Sequence, residues 1–442
     1  MKKGLLSLGF AVFMLCFPLA AHAQVIHEVQ SGDSLSSISK QYGVKSQTLA
    51  KLNGLAKNSG LVLGQALLLP GTTYIVQNGE SLWEIAKRHA ITEASLKKAN
   101  RLPSSAIRKG QKLYIPHPPK TMIWNGAYFV PKDQYFNEWI LGNYRKTLSA
   151  AFVFEYPANY DGSLTPLATE NKAITEAWKK GIPPYATVTN ISSKGFDPAL
   201  AHHLMANTAR RKAFINNIYS LLHAKNYKGV VIDFEQVWPK DRHWLNLFMK
   251  ELGARVHPAG MQVLIAVPPK EGDKVPSHSA AYDYKSLGKS VDKLFLMTYD
   301  WHWPGGPSGP IAPINRVRAT IRYALTVAPK SKIMLGIPQY AYDWDLSGSS
   351  RQGKAYSAQR AVDLYTGYRS QIRYDEQAAA PSFRYVDKDG SQHEVWFEDP
   401  RSLMAKFHLV KEFGLYGIGA WHLGLTMPQT ERILMDEFII KR

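Results

Sequence analysis

The chain has 442 residues, 45% of them apolar, and a formal net charge of +19. That length and composition support one large domain with a sizeable core plus something smaller, and they exclude a disordered or fibrous protein. The basic excess suits an anionic polymer or membrane surface, or else a solvated face with no specific partner.

The first 23 residues read as a secretory leader. Lys2 and Lys3 precede an apolar run from Leu5 to Leu19, and Ala21-His22-Ala23 forms a small-x-small cleavage site, so the mature chain is expected to begin at Gln24. The expected location is therefore secreted or wall-associated, with no stable membrane insertion after processing. Export argues against nucleic acid as a partner. Loss of Lys2 and Lys3 takes the charge from +19 to +17, because the leader holds no acid. It also removes Cys16, the only cysteine, so a disulfide, a thiolate nucleophile and a cysteine metal site are excluded in the mature chain. No later apolar stretch is long enough for a transmembrane helix.

Two copies of one pattern come next, at about 25–71 and 72–117. HEVQSGDSLSSISKQYGVKSQTLAKLNGL with LVLGQALLLP aligns with YIVQNGESLWEIAKRHAITEASLKKANRL with IRKGQKLYIP. Gly32 matches Gly79, Ser34 matches Ser81, Ile38 matches Ile85 and Asn53 matches Asn100. Each copy predicts strand, helix, helix, strand: an alternating start, a Ser cap, apolar residues at helical spacing (Leu35, Ile38, Tyr42; Leu82, Ile85, His89) and a returning strand closed by Pro70 or Pro116. These segments resemble LysM modules. The resemblance implies binding of glycans containing N-acetylglucosamine, peptidoglycan or chitin, in a shallow groove beside the turn into the first helix and the second helix. Tandem copies raise avidity on a repeating polymer. The alternative is that they only space the rest of the chain. PHPPK at 116–120 reads as a short stiff linker, and the remainder of the chain, about 121–442, as a separate domain.

That domain alternates apolar strands with amphipathic helices. Strands are expected at 125–131, 149–156, 185–191, 229–235, 262–268, 293–300, 332–338 and 417–423, with the clearest helices at 210–226 and 243–256. Eight strand–helix pairs predict a parallel (β/α)8 barrel of the TIM type, with a doubly wound sheet as the alternative. The stretch at about 341–400 is too long for one helix and holds an alternating hairpin turned at Asp389-Gly390, so a small α+β insertion is expected to wall a cleft.

One strand, GVVIDFE at 229–235, is apolar yet ends in two carboxylates. With a period of two, Val231, Asp233 and Glu235 share one face and Val230, Ile232 and Phe234 the other. In a barrel the first set points to the axis, with Glu235 at the carboxyl end where barrel active sites form. Acids there are costly to bury without a partner or a task. The alternative is a strand ending at solvent with two surface acids.

The motifs around it point the same way. KGVVIDFE resembles the strand-four signature D-G-x-D-x-D-x-E of glycoside hydrolase family 18, matched at Gly229, Asp233 and Glu235. LMTYD, with Met297, Tyr299 and Asp300, resembles that family's sixth strand, and GIGAWHLG, with Trp421, its eighth. EVWFEDPRSLMAKFHLV together with the modules is similar to the spore-cortex-lytic, LysM-bearing N-acetylglucosaminidase branch, whose members generally lack a secretory signal. Two positions depart: the signature's first Asp is Lys228 and its middle Asp is Val231, which can neither share a proton with Asp233 nor hydrogen-bond it.

The resemblance implies a retaining, substrate-assisted hydrolysis, an exception to the two-carboxylate scheme. It gives Glu235 the role of acid, Asp233 and Tyr299 that of holding the acetamido group, and Trp421 that of floor under the sugar. Met297 is a further cleft contact it suggests, Asp300 and Tyr374 are either cleft contacts or structural, and neither a metal nor a cofactor is implied. Trp301 and Trp303 are sugar platforms or loop packing. His202 and His203 lack helical ligand spacing for zinc. PGGPSGP at 304–310 is expected to be a loop lining the cleft rather than a phosphate cradle. A wall-binding lectin on the same barrel is the competing class, although a lectin has little need of the acid.

Overall fold

The computed structural model describes residues 24–56, 59–89, 91–116, 119–272, 275–347 and 353–442, so the expected leader lies outside the described residues. Among them no helix is long and apolar enough to cross a membrane.

Each N-terminal module is built as strand, helix, helix, strand. In the first, Gln24–Glu28 pairs antiparallel with Ala66–Pro70 around helices Leu35–Tyr42 and Ser46–Leu52; in the second, Thr73–Ile75 pairs with Lys112–Tyr114 around Leu82–Arg88 and Glu93–Ala99. Ser34 and Ser81 cap their helices in reciprocal capping boxes with Ser37 and Glu84. The repeated asparagines are structural. Asn53 donates to the Leu49 and Leu68 carbonyls and accepts from Leu68 N–H, and Asn100 does the same with Leu96 and Tyr114. Each one ties the second helix to the return strand. His89, at helical spacing in the sequence, joins the copies: its Nε2 accepts the Ile26 N–H at 3.0 Å, which leaves the proton on Nδ1 to donate to the Ile85 carbonyl at 2.8 Å.

The barrel closes. Thr121–Phe129, Ala150–Pro157, Pro184–Thr189, Gly229–Asp233, Gln262–Val267, Lys293–Leu296, Ile333–Pro338 and Gly417–Trp421 each lie parallel to the next, and the eighth strand pairs with the first, Gly417 opposite Trp124. Helices Gln134–Tyr144, Glu170–Lys179, Thr208–Ala224, Arg242–Val256, Tyr284–Ser290, Ile314–Val327 and Pro400–Phe413 return between strands. The interior is aromatic. Trp124 stacks on Phe152 at 5.9 Å, and Tyr128 meets Phe295 and Trp421. Two strand glycines make room for these rings: a Cβ on Gly419 would stand 2.0 Å from Phe295, and one on Gly336 2.9 Å from Tyr299. The ordered ladders are shorter than the apolar runs. Strand four ends at Asp233 and strand six at Leu296, so Glu235, Tyr299 and Asp300 sit in the loops beyond.

Between strands seven and eight stands a five-stranded antiparallel sheet carrying helix Ala358–Gly367. Its hairpin joins Ala380–Val386 to Gln392–Trp396, and Gly390 takes the left-handed φ of 83° that the turn demands.

The modules are not strung out beyond a linker. Ile26, Ala66 and Leu68 of the first module lie in the barrel's apolar core, and Val25, Leu67 and Leu69 lie in a second core shared with Val362, Phe383 and Val395 of the insertion. Among the residues that join them is the buried Arg401, which bonds Glu28, the Gly64 carbonyl and Asp399.

Candidate active site

The face split expected of strand four holds. Phe234 points outward and stacks on Phe214 and Phe248 of the surrounding helices, at 6.1 and 5.9 Å. Asp233 and Glu235 face the mouth of the barrel. After Glu235 the chain turns sharply, with Gln236 at a φ of 55°. Two buried side chains clamp this turn. Asn190, just past strand three, accepts the Glu235 N–H at 2.9 Å and donates to the Glu235 and Asp197 carbonyls, each at 3.0 Å. Tyr282 donates to the Phe234 carbonyl at 2.7 Å.

Three carboxyl groups converge here. Burial pushes Glu235 well above the usual carboxylate range, and the charges of Asp233 and Asp300 push it further. Burial raises Asp233 too; the Tyr128 hydroxyl beside it offsets part of that rise and Glu155 adds to it. Among the described residues, neither Asp233 Oδ1 nor the Tyr128 hydroxyl completes a hydrogen bond. A buried acceptor of this kind calls for an explanation, and a ligand's N–H supplies one. Asp300 opens to the cleft but is walled by aromatic rings, which raises its pKa; Tyr340 and Tyr342 both donate to its Oδ1, at 2.5 and 2.8 Å, and hold the rise in check. Tyr299 is buried among these acids, and their charges help to hold its hydroxyl protonated as a donor.

The cleft in front of them has a volume of about 900 Å³. Glu235, Met297, Tyr299 and Asp300 line it, with Trp238, Trp301 and the exposed Trp303. Trp421 ends strand eight outside the lining of this cleft, its ring 5.0 Å from Tyr128 and 4.7 Å from Phe154. Tyr374 does not join the site. It packs under the Arg401 guanidinium at 4.3 Å, in a small pocket at the junction with the two modules. Its strand, Arg373–Asp375, is the sheet edge that faces the modules, so its aromatic ring serves that junction. His202 pairs with Asp241 at 2.7 Å.

Sequence reading missed Asn190, Tyr282, Tyr128 and Glu155. Asn190 and Tyr128 carried a usable signal, as polar residues at the carboxyl ends of barrel strands. Nothing local marked Tyr282. Asn190→Ala is expected to lower kcat by about 10- to 100-fold with the fold intact, because the acid's backbone loses its clamp; steady-state kinetics beside a thermal melt checks this.

Sequence comparison decides the family. The profile of glycosyl hydrolases family 18 matches residues 172–425, and the LysM profile matches 27–70 and 74–116. The chain is a family 18 glycoside hydrolase. It is 38% identical over 423 residues to the cortical fragment-lytic enzyme of Bacillus anthracis, covering 94% of this chain and 98% of that one. The fold of this family 18 enzyme is similar to the spore cortex-lytic enzyme SleL of Bacillus cereus, with a TM-score of 0.86, 36% identity and coverage of 95% and 99% of the two chains. A chitinase from Chromobacterium violaceum aligns with a TM-score of 0.67 at 28% identity, over 72% of this chain and 100% of that one. The eight-stranded barrel, the glycosidase class and the glycan-binding modules expected from sequence all stand.

Proposed function

We propose that this glycosidase is exported and cleaves peptidoglycan after N-acetylglucosamine, by a retaining mechanism in which the substrate's own acetamido oxygen is the nucleophile. The observation that carries the reading is the pairing of Glu235, whose proton burial and the charges of Asp233 and Asp300 hold, with Asp233, whose Oδ1 lies beside the Tyr128 hydroxyl and completes no hydrogen bond among the described residues. Glu235 donates its proton to the glycosidic oxygen. The acetamido carbonyl oxygen attacks the anomeric carbon as the glycosidic C–O bond breaks and the protonated leaving sugar departs as an alcohol, which gives an oxazolinium ion. Asp233 accepts the acetamido N–H and balances the positive charge that develops, and the Tyr299 hydroxyl donates to the acetamido oxygen. Trp421 offers a flat apolar face beneath the sugar. Glu235, now ionised, takes a proton from the water that opens the ring and restores the N-acetyl group.

Val231 is fully buried in the barrel interior and brings no acid beneath Asp233. Glu155, held by the Thr189 hydroxyl at 2.8 Å, supplies negative charge nearby from strand two instead.

The site supports a choice of bond. Tyr128 and Phe154 pack edge-on against the Trp421 ring, and this crowded aromatic end of the barrel suits the smaller N-acetylglucosamine. The lactyl ether and peptide of the muramic sugar fit the open side, toward Trp301 and Trp303. Borohydride reduction of a peptidoglycan digest followed by mass spectrometry is expected to give glucosaminitol; muramitol would reverse this placement. Chitin is the second reading, favoured by the likeness to the Chromobacterium chitinase. Digestion of both polymers in parallel separates the two, with the higher kcat/KM expected on peptidoglycan.

A further inference from the structure

The two modules are near-copies, yet they use one surface in opposite ways. The return strand of each alternates. Leu67 and Leu69 in the first module, and Leu113 and Ile115 in the second, are buried against their own helices. On the other face, Leu68 is 1% exposed inside the barrel's core, and its counterpart Tyr114 is 49% exposed. Ala66 is likewise buried where its counterpart Lys112 is exposed. The end of the second helix repeats the contrast. Asn53 Oδ1 accepts from Gln429, and the Gly54 carbonyl accepts from Gln359 at 2.7 Å, whereas Arg101, the counterpart of Gly54, is exposed. A Cβ on Gly64 would stand 2.2 Å from the Ile372 carbonyl, and one on Gly110 would meet nothing within 4 Å. The copies share the glycine at 64 and 110 and the asparagine at 53 and 100, and differ on the docked face at Gly54 against Arg101, Ala66 against Lys112 and Leu68 against Tyr114.

We infer that the modules have divided the work: the first is a brace built into the catalytic unit, and the second carries the glycan-reading surface. The brace holds the insertion that walls the cleft. Ile372 N–H bonds the Leu63 carbonyl at 2.9 Å, and Gln65 donates to the Tyr365 hydroxyl. With the Gly54–Gln359 bond at its start, these ties fix both ends of the loop after the second helix, beside the implied groove. In the second module the same loop is open, with Ser104, Ser105, Arg108, Lys109 and Gly110 all exposed. That module meets the insertion instead through its first helix, where Lys87 pairs with Glu376. An exposed rim with arginine and lysine suits a glycan bearing peptide carboxylates. The inference rests on the polymer being such a glycan.

The test uses the full chain with Glu235→Gln, so that bound polymer is not consumed, and co-sedimentation with insoluble peptidoglycan and with chitin. Arg101→Glu with Lys109→Glu in the second module is expected to weaken retention at least about tenfold, with no change in Tm. Lys45→Glu with Lys51→Glu, the same charge change beside the first module's second helix, is expected to weaken it less than about twofold. In the active chain, Leu68→Lys is expected to lower Tm by about 5 °C or more and to slow hydrolysis of short soluble oligosaccharides, because it buries a charge in the interface; Tyr114→Lys at the matching position leaves the Tm unchanged. If Leu68→Lys does not fold, Gln359→Ala with Gln429→Ala reads the same interface through a smaller fall. Equal loss of retention from the two charge pairs, or matching melts for Leu68→Lys and Tyr114→Lys, overturns the division. If the parent protein is retained by neither polymer, the proposed substrate is wrong, and the melting arm still decides whether the first module is a brace.

Discussion

Replacing Glu235 by glutamine is expected to lower turnover by about 10²–10⁴-fold while glycan binding persists. The amide keeps the shape of the acid but has no proton to give the glycosidic oxygen. The surroundings make this loss large. The residue is half-buried at the edge of the cleft, and burial together with the charges of Asp233 and Asp300 holds its proton well above the ordinary carboxylate range. Asn190 fixes its backbone from both sides, so the side chain at this position is preset for transfer. The loss has to appear in kcat rather than KM, because the proton moves only in the transition state. Turnover of a soluble N-acetylglucosamine oligosaccharide, with binding followed by calorimetry, is the measurement. Near-normal kcat assigns the acid elsewhere, and a matching loss of binding shows that the substitution disturbs the cleft itself.

How far the site was legible in the sequence depends on where its parts come from. Asp233 and Glu235 stood out because a period of two puts both on the face that an apolar strand turns inward. Met297, Tyr299, Asp300 and Trp421 stood out through the resemblance of LMTYD and GIGAWHLG to the family's sixth and eighth strands. Asn190, Tyr128 and Tyr282 lie far along the chain from Glu235, and only closure of the barrel brings them to it; Asn190 and Tyr128 could be marked only as strand-end polar residues, and Tyr282, between two helices, by nothing local. Tyr374 went astray for the converse reason. Its strand looked like cleft wall, but that edge of the insertion is turned to the modules. The docking of the first module was legible in one respect. The repeat places Ala66 against Lys112 and Leu68 against Tyr114, and apolar residues on the outer face of one copy alone mark a buried face.

Asp233→Asn is expected to cost about 10²–10³-fold in kcat and to move the alkaline limb of the pH profile to lower pH. The one change has two separate consequences. An amide can still accept a hydrogen bond from the acetamido N–H, but it carries no negative charge against the oxazolinium ion, so stabilisation is lost where charge develops. The second consequence falls on Glu235. Its pKa is raised first by burial and next by the Asp233 charge. A like charge disfavours ionisation, so removing it lowers the pKa of Glu235, and the protonated form needed as acid is lost at a lower pH than in the parent. The two groups titrate as a pair, so the shift is read from the whole kcat/KM profile rather than from one assigned value. Asp300→Asn should move the limb in the same direction by less, because Asp300 is the smaller of the two charge contributions at Glu235. A lower rate with an unmoved alkaline limb would mean that Asp233 acts on the substrate alone and that Glu235 owes its proton to burial.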